Sequence, residues 1–140
     1  HFIAARTFLP ALSAGGVYVG IGGGSADFVL EGGAYMLIAQ ARLRMMHRAL
    51  AHEAAAAGTI LKQLTVASVV NGASTRDQAD PAWITAEEIG AQVAAMIETP
   101  QAFAQPVWRI ARRDENGRPI VKHEGDSLII NLGGAVASRS

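Results

Sequence analysis

The sequence predicts an α/β fold built on a parallel sheet, and three observations carry that expectation. Val17 to Ile21 is a short apolar, β-branched run closed by glycines, the look of a strand buried on both faces. From Tyr35 the period changes: Met36, Ala39, Leu43, Met46, Leu50 and Ala54 recur at three- and four-residue steps and share one helix face. Strand-like and helix-like segments then alternate, which argues for parallel strands joined by right-handed crossovers.

Taken in order, HFIAARTFLPALS places Phe2, Ile3, Ala5, Phe8, Leu9 and Leu12 at helical spacing, with Pro10 near the end, and predicts a helix over 2–12. The strand at Val17 leads into a glycine-rich loop reaching about Gly33, then into a long helix over 35–56. Ile38, Met45 and Ala49 lie about 100° from its main stripe and widen the apolar face to roughly half the cylinder. Gln40, Arg44, His47, Arg48 and His52 fall on the other side. A face this broad calls for a sheet beneath it and another helix beside it. Ile60 to Val70 is the next strand, ended by Asn71-Gly72.

Thr85 and Glu88 form a capping box for a second amphipathic helix with Ile89, Val93 and Met96 on its stripe, stopped at Thr99-Pro100. Val107 to Ala111 and Ile120 to Val121 flank Asp114-Glu115-Asn116-Gly117, so a β-hairpin insertion is expected within 100–126. Ser127 to Leu132 is the last apolar run, closed by Gly133-Gly134, and reads as a final strand. The sheet would then keep one open edge, with no strand before the first helix.

At 140 residues the chain is the size of one domain, 1–140. Twelve basic and twelve acidic side chains cancel, which gives no general attraction to nucleic acid or an anionic membrane. The absence of cysteine excludes disulfides and thiolate metal sites and fits a reducing compartment. No apolar run reaches the ~18 residues of a membrane span, and no signal-peptide pattern is present. A soluble, cytoplasmic domain is the expectation.

The order of a helix, a strand ending in glycines, AYMLIAQARLRMMHRALAHE, a strand ending in Asn-Gly, a capped helix and IINLGG resembles the C-terminal half of a short-chain dehydrogenase/reductase. FLPALSAGGVYVGI resembles that family's helix leading into its central strand, and LRMMHRALAHE the helix after its Tyr-x-x-x-Lys. The likeness spans roughly 1–99 and 127–134. It implies a partial Rossmann-like sheet, half of a doubly wound domain, in a chain that is a fragment or one piece of a split protein.

What the resemblance implies for chemistry is an NAD- or NADP-dependent oxidoreductase whose catalytic motif is degenerate. The family uses a serine to orient a carbonyl, a tyrosine as acid/base, and a lysine that activates the tyrosine and holds the nicotinamide ribose. Alignment on LRMM puts Gly23, Met36 and Gln40 at those positions, and none of these side chains can do its job. Tyr35 restores a phenol after a one-residue slip, and Ser25 a hydroxyl after a two-residue slip, which makes them the candidate catalytic residues. Four residues after Tyr35 stands Ala39, which leaves no cation to activate the phenol. The candidate cofactor contacts are Gln40 at the ribose, and Asn71, Gly72 and Ala73 where the family has Pro-Gly. Asn71-Gly72 reads equally well as a plain turn.

Other residues read more plainly. Gly20 to Gly24 follow a strand but are about ten residues from a helix, so a strand end made permissive by glycine fits better than a phosphate loop. His47 and His52 are five apart and do not pair for zinc, and no metal is expected. Arg42, Arg44 and Arg48 read as a solvated or subunit-facing edge, and Arg112-Arg113 is too small a patch for nucleic acid. Asp27, Phe28 and Leu30 fall where the family has its substrate loop. The helices 2–12 and 35–56 are more apolar than one sheet face requires, so self-association through them is expected, or association with a homologous active subunit. The alternative to an oxidoreductase is therefore a non-catalytic structural or regulatory subunit of a dehydrogenase complex.

Overall fold

A computed structural model describes residues 1–27, 29 and 31–125. The chain opens with α1 (Phe2–Phe8), a 3-10 turn at Leu9–Ala11 and β1 (Val17–Gly23). A second 3-10 turn, Gly24–Asp27, precedes α2 (Ala34–Ala56), which is followed by β2 (Ile60–Ala67). Then come β3 (Val70–Asn71), β4 (Ile84–Thr85), α3 (Ala86–Glu98), β5 (Val107–Arg113) and β6 (Pro119–His123). The last strand read from the sequence, Ser127 to Leu132, and the loop residues Phe28 and Leu30 lie outside the described residues.

The fold is mixed α/β with a four-stranded, mostly parallel sheet in the order β1-β2-β5-β6. β2 is the middle of it, buried continuously from Leu61 to Thr65. β1 runs parallel to it from Val17↔Ile60 to Gly23↔Val66, and β5 from Gln63↔Val107 to Ala67↔Ala111. β6 is antiparallel to β5. Side chains alternate across a strand, so β2 feeds two cores. Leu61 meets Ala5 of α1 and Ala54 of α2, with Leu9, Tyr18 and Leu50 packed around them. On the opposite face Leu64 meets Ile84, Met96 of α3 and Ile110, with Val66, Val93 and Phe103 alongside. The layers are therefore α1 and α2, the sheet, and α3.

Each helix ends where local chemistry ends it. Gly58, at φ +75°, takes the left-handed conformation that closes α2, and its carbonyl accepts the Gly15 N–H at 2.7 Å. α3 starts in the expected capping box: Thr85 Oγ1 accepts the Glu88 N–H at 3.3 Å, and Glu88 Oε2 accepts the Thr85 N–H at 2.8 Å. The same carboxylate of Glu88 pairs with Arg113 at 2.8 Å, which ties the helix start to β5.

The structure corrects three expectations. The strand predicted to Val70 stops at Ala67, and Val70–Asn71 pairs instead with Ile84–Thr85 in a separate two-stranded sheet. The hairpin expected as an insertion in 100–126 forms, but its first arm is β5, the parallel neighbour of β2. Val107 and Ile110 are fully buried there, so this arm supplies apolar surface that the sheet requires. The third correction concerns α2. Leu43, Leu50 and Ala54 of the expected stripe do face the sheet, but His47 from the expected polar side joins them, whereas Met36 and the residues Ile38, Met45 and Ala49 expected to widen the face are exposed. The reason is the strand beneath: β1 presents Gly20 and Gly22 to the helix, and an ideal Cβ on Gly20 would lie 2.1 Å from His47 Nε2. The bare backbone leaves room for a ring, and the helix turns to fill it.

Replacing Thr85 with Ala should lower unfolding stability by about 1 kcal/mol in urea titrations, with an unchanged m-value. A loss no larger than that of a surface substitution would show the cap to be dispensable.

Candidate functional site

A cleft of about 750 Å³ opens at the C-terminal end of β1, between the start of α1 and the first half of α2. Its lining includes Phe2, Gly23, Tyr35, Ile38, Gln40 and Arg42. Gly23 and Gln40, the positions that the resemblance assigns to the serine and the lysine, are bonded to each other: Gln40 Oε1 accepts the Gly23 N–H at 2.7 Å. A lysine ammonium has donors only and could not make this bond. Gln40 therefore serves as an acceptor that ends the strand, using the one function a lysine lacks.

Of the other sequence candidates, Tyr35 stands on the rim at 94% exposure, with no partner holding the phenol among the described residues. Met36 is exposed beside it. Ser25 is half-buried in the 3-10 turn after β1 and is not part of the lining. Asn71, Gly72 and Ala73 lie outside the cleft too. The Asn71 amide donates to Asp80 O at 2.9 Å and accepts the Asp80 N–H at 3.3 Å, while the Gly72 N–H goes to Thr75 Oγ1 at 2.9 Å. These bonds close the loop between β3 and β4, with Ala73 opening its 3-10 turn. The cleft thus brings Gly23, Tyr35 and Gln40 together, and leaves Ser25 and residues 71–73 apart from them.

The residue that sequence reasoning misplaced is His47. It is wholly buried, with its ring over Gly20, and Nδ1 donates to the Leu43 carbonyl at 2.9 Å. That bond keeps the proton on Nδ1 and leaves Nε2 a buried acceptor with no partner among the described residues. Gln63, 1% exposed, packs its amide against Gly22 and donates to Thr65 Oγ1 at 3.0 Å, which leaves its Oε1 unpartnered as well. Burial pushes the His47 imidazole below its ordinary value of 6.5, against the opposing pull of the Leu43 carbonyl. The signal in the sequence was Gly20 and Gly22 on one strand face, which creates a hollow that a large helix residue must occupy.

Charge is organised beside the cleft, not inside it. Arg44 pairs with Asp27 at 2.6 Å and with Glu124 at 3.3 Å, Asp27 also pairs with Arg109 at 2.9 Å, and Arg48 reaches Glu124 at 3.6 Å. Arg44 and Arg48, expected at a solvated or subunit-facing edge, instead join α2 to the turn after β1 and to the end of β6. Arg42 alone of that trio lines the cleft. Among the described residues no group of His, Asp and Glu is arranged to hold a metal ion. Nor is any helix among them long and apolar enough to cross a membrane.

No protein-family model, curated protein or solved structure matches this chain. The arrangement can bind an apolar body against Phe2, Ile38 and the glycine backbone. The titratable side chains in its lining are Tyr35, Arg42 and His1, whose ring lies 6.0 Å from that of His47.

His47 should make stability depend on pH. With its folded-state value depressed, the unfolded chain binds the extra proton first, so stability is complete above about pH 6.5 and falls as pH drops through that value towards the lower folded one. The slope from one such group reaches at most about 1.4 kcal/mol per pH unit. Urea melts of the wild type and of His47→Gln across this range should differ in that slope. Parallel pH profiles would show that His47 accepts the proton without cost.

Proposed function

We propose that this chain is a non-catalytic module of the short-chain dehydrogenase/reductase type, acting by association through α1 and α2. The observation that carries the reading is the apolar surface these helices leave in water. Ile3, Phe8, Ile38 and Met45 are between 56% and 80% exposed, and Phe2 and Ile38 line one continuous cleft. A monomer rarely keeps an apolar patch of more than a few hundred Å² uncovered. The partner is a second copy of the chain, related by a two-fold axis, or a homologous active subunit. β1 adds to this support, since its outer edge pairs with no described strand. Gln40, committed to the Gly23 N–H, and Met36, with no proton to give, support the non-catalytic half of the proposal. The module would work in the cytoplasm, on a partial Rossmann-like sheet.

A second reading, an NAD(P)-dependent oxidoreductase with a degenerate motif, rests on one observation: Tyr35 and Gln40 share the cleft. In that reading Tyr35 and Ser25 supply the hydroxyls, while Gln40 and Asn71 to Ala73 meet NAD or NADP.

Met45→Glu should shift the protein to monomer mass in sedimentation velocity, and retention of the wild-type mass would remove α2 from the interface. NADH or NADPH fluorescence together with a panel of carbonyl and alcohol substrates separates the two readings. The expected result is no turnover, with Tyr35→Phe indistinguishable from wild type. Turnover that this substitution abolishes would establish the oxidoreductase.

A further inference from the structure

At the other end of the sheet, where β2 and β5 begin, lies a second pocket of about 540 Å³. Lys62 sits in its wall on β2, 4% exposed. Its ammonium donates to the Phe103 carbonyl, and among the described residues no carboxylate comes within 4.0 Å of it. Two of its donors are left over. Arg48 and His52 approach from α2 and line the same pocket. Arg48 touches Glu124 at 3.6 Å only through Nη2, and its Nε–H is buried with no partner. The lining holds no aspartate or glutamate.

A buried ammonium without a counter-charge is costly, and a buried N–H without an acceptor adds to that cost. Lys62 and Arg48 both line the pocket, with His52 beside them and no acidic side chain. A ligand that complements this lining carries negative charge on oxygen. The remainder of the wall narrows its class. Ala51, Ala55 and Pro100 give the pocket an apolar side, and its volume exceeds what an inorganic ion would fill.

We propose that this pocket binds a small organic anion whose carboxylate or phosphate head meets Lys62 and Arg48 and whose apolar body lies against α2. The site is separate from the cleft at Gly23 and does not depend on whether α1 and α2 associate. The anion supplies Lys62 with a counter-charge, meets the Arg48 guanidinium from the pocket, and bridges α2 to the segment that leads into β5.

The test is an amide NMR titration of the full chain with hexanoate, hexyl phosphate and hexanol. Saturable shifts at Ala51, Lys62 and Gln105 are expected with one or both anions, and the tighter of the two identifies the head group. Lys62→Met should weaken that binding about tenfold or more, the loss of one charge-assisted hydrogen bond. Arg48→Met should weaken it in the same direction, which keeps the assignment testable if one variant fails to fold. Three results would each overturn the site: no saturable shift with either anion, hexanol binding as tightly as the anions, or undiminished affinity in a folded variant.

Discussion

The rest of the structure depends on the contact between β1 and α2. Gly20 and Gly22 remove side chains from one strand face, and His47 and Gln63 occupy the volume they leave. A close-packed interior transmits such a choice: the His47 ring fills the space that a Cβ at position 20 would need, at 2.1 Å from where it would stand. With His47 fixed downward, Leu43, Leu50 and Ala54 follow it onto the sheet, and Ile38 and Met45 are carried outward. The interaction is an unusual one to build on, since it buries two polar side chains and leaves an acceptor on each unmatched. Shape fixes the register here, at some cost in hydrogen bonding.

The same rotation decides what the end of β1 can do. It brings Gln40 over Gly23, where its amide oxygen accepts a backbone N–H that would otherwise be unpaired at a strand terminus. It also points Arg44 and Arg48 across the sheet to Asp27 and Glu124. Those pairs are partly exposed, so their worth lies in holding the turn after β1 and the end of β6 against one helix more than in net stabilisation. The result is a cleft in which the Gln40 amide oxygen is already spent on structure, while Tyr35, Arg42 and His1 are not fixed by any side-chain bond among the described residues. A proton-transfer site needs the reverse, an acid or base held by neighbours and left free towards the substrate.

Much of this was legible in the sequence. β1, α2, β2 and the capped start of α3 follow from periodicity, glycine stops and Thr85/Glu88, because those signals are local. The rotation of α2 was not legible from its own pattern. Leu43, Leu50 and Ala54 belong to both its apolar stripe and its sheet-facing side, but that side is turned by roughly 40° to take in His47, and only the partner strand decides the turn. The partner's glycines were visible, but they were read as a permissive strand end when they are a socket. The hairpin shows the same limit from another side: the Asp114–Gly117 turn was a local signal, whereas the pairing of Val107 with Gln63 joins residues far apart in the chain. Within the candidate site, Gly23 and Gln40, singled out by the resemblance, are brought into contact by the fold. Asn71 to Ala73 lie apart from them, and nothing in their own sequence shows that Asn71 bonds forward to Asp80.

α2 links all of these features. Its 23 residues span about 35 Å, long enough to reach from the Gly23 cleft to the pocket at Lys62. Along it the chemistry changes in order: an exposed phenol and an amide acceptor at the start, a buried imidazole and paired guanidiniums in the middle, and a half-satisfied Arg48 with His52 near the end. The exposed apolar residues Ile38 and Met45 lie on the side away from the sheet. An element gripped at its centre by His47 over Gly20 cannot shift at one end without disturbing the other. The exposed apolar residues and the lining of the Lys62 pocket thus belong to one rod, whose packing rests on the seat of His47 over the glycines of β1.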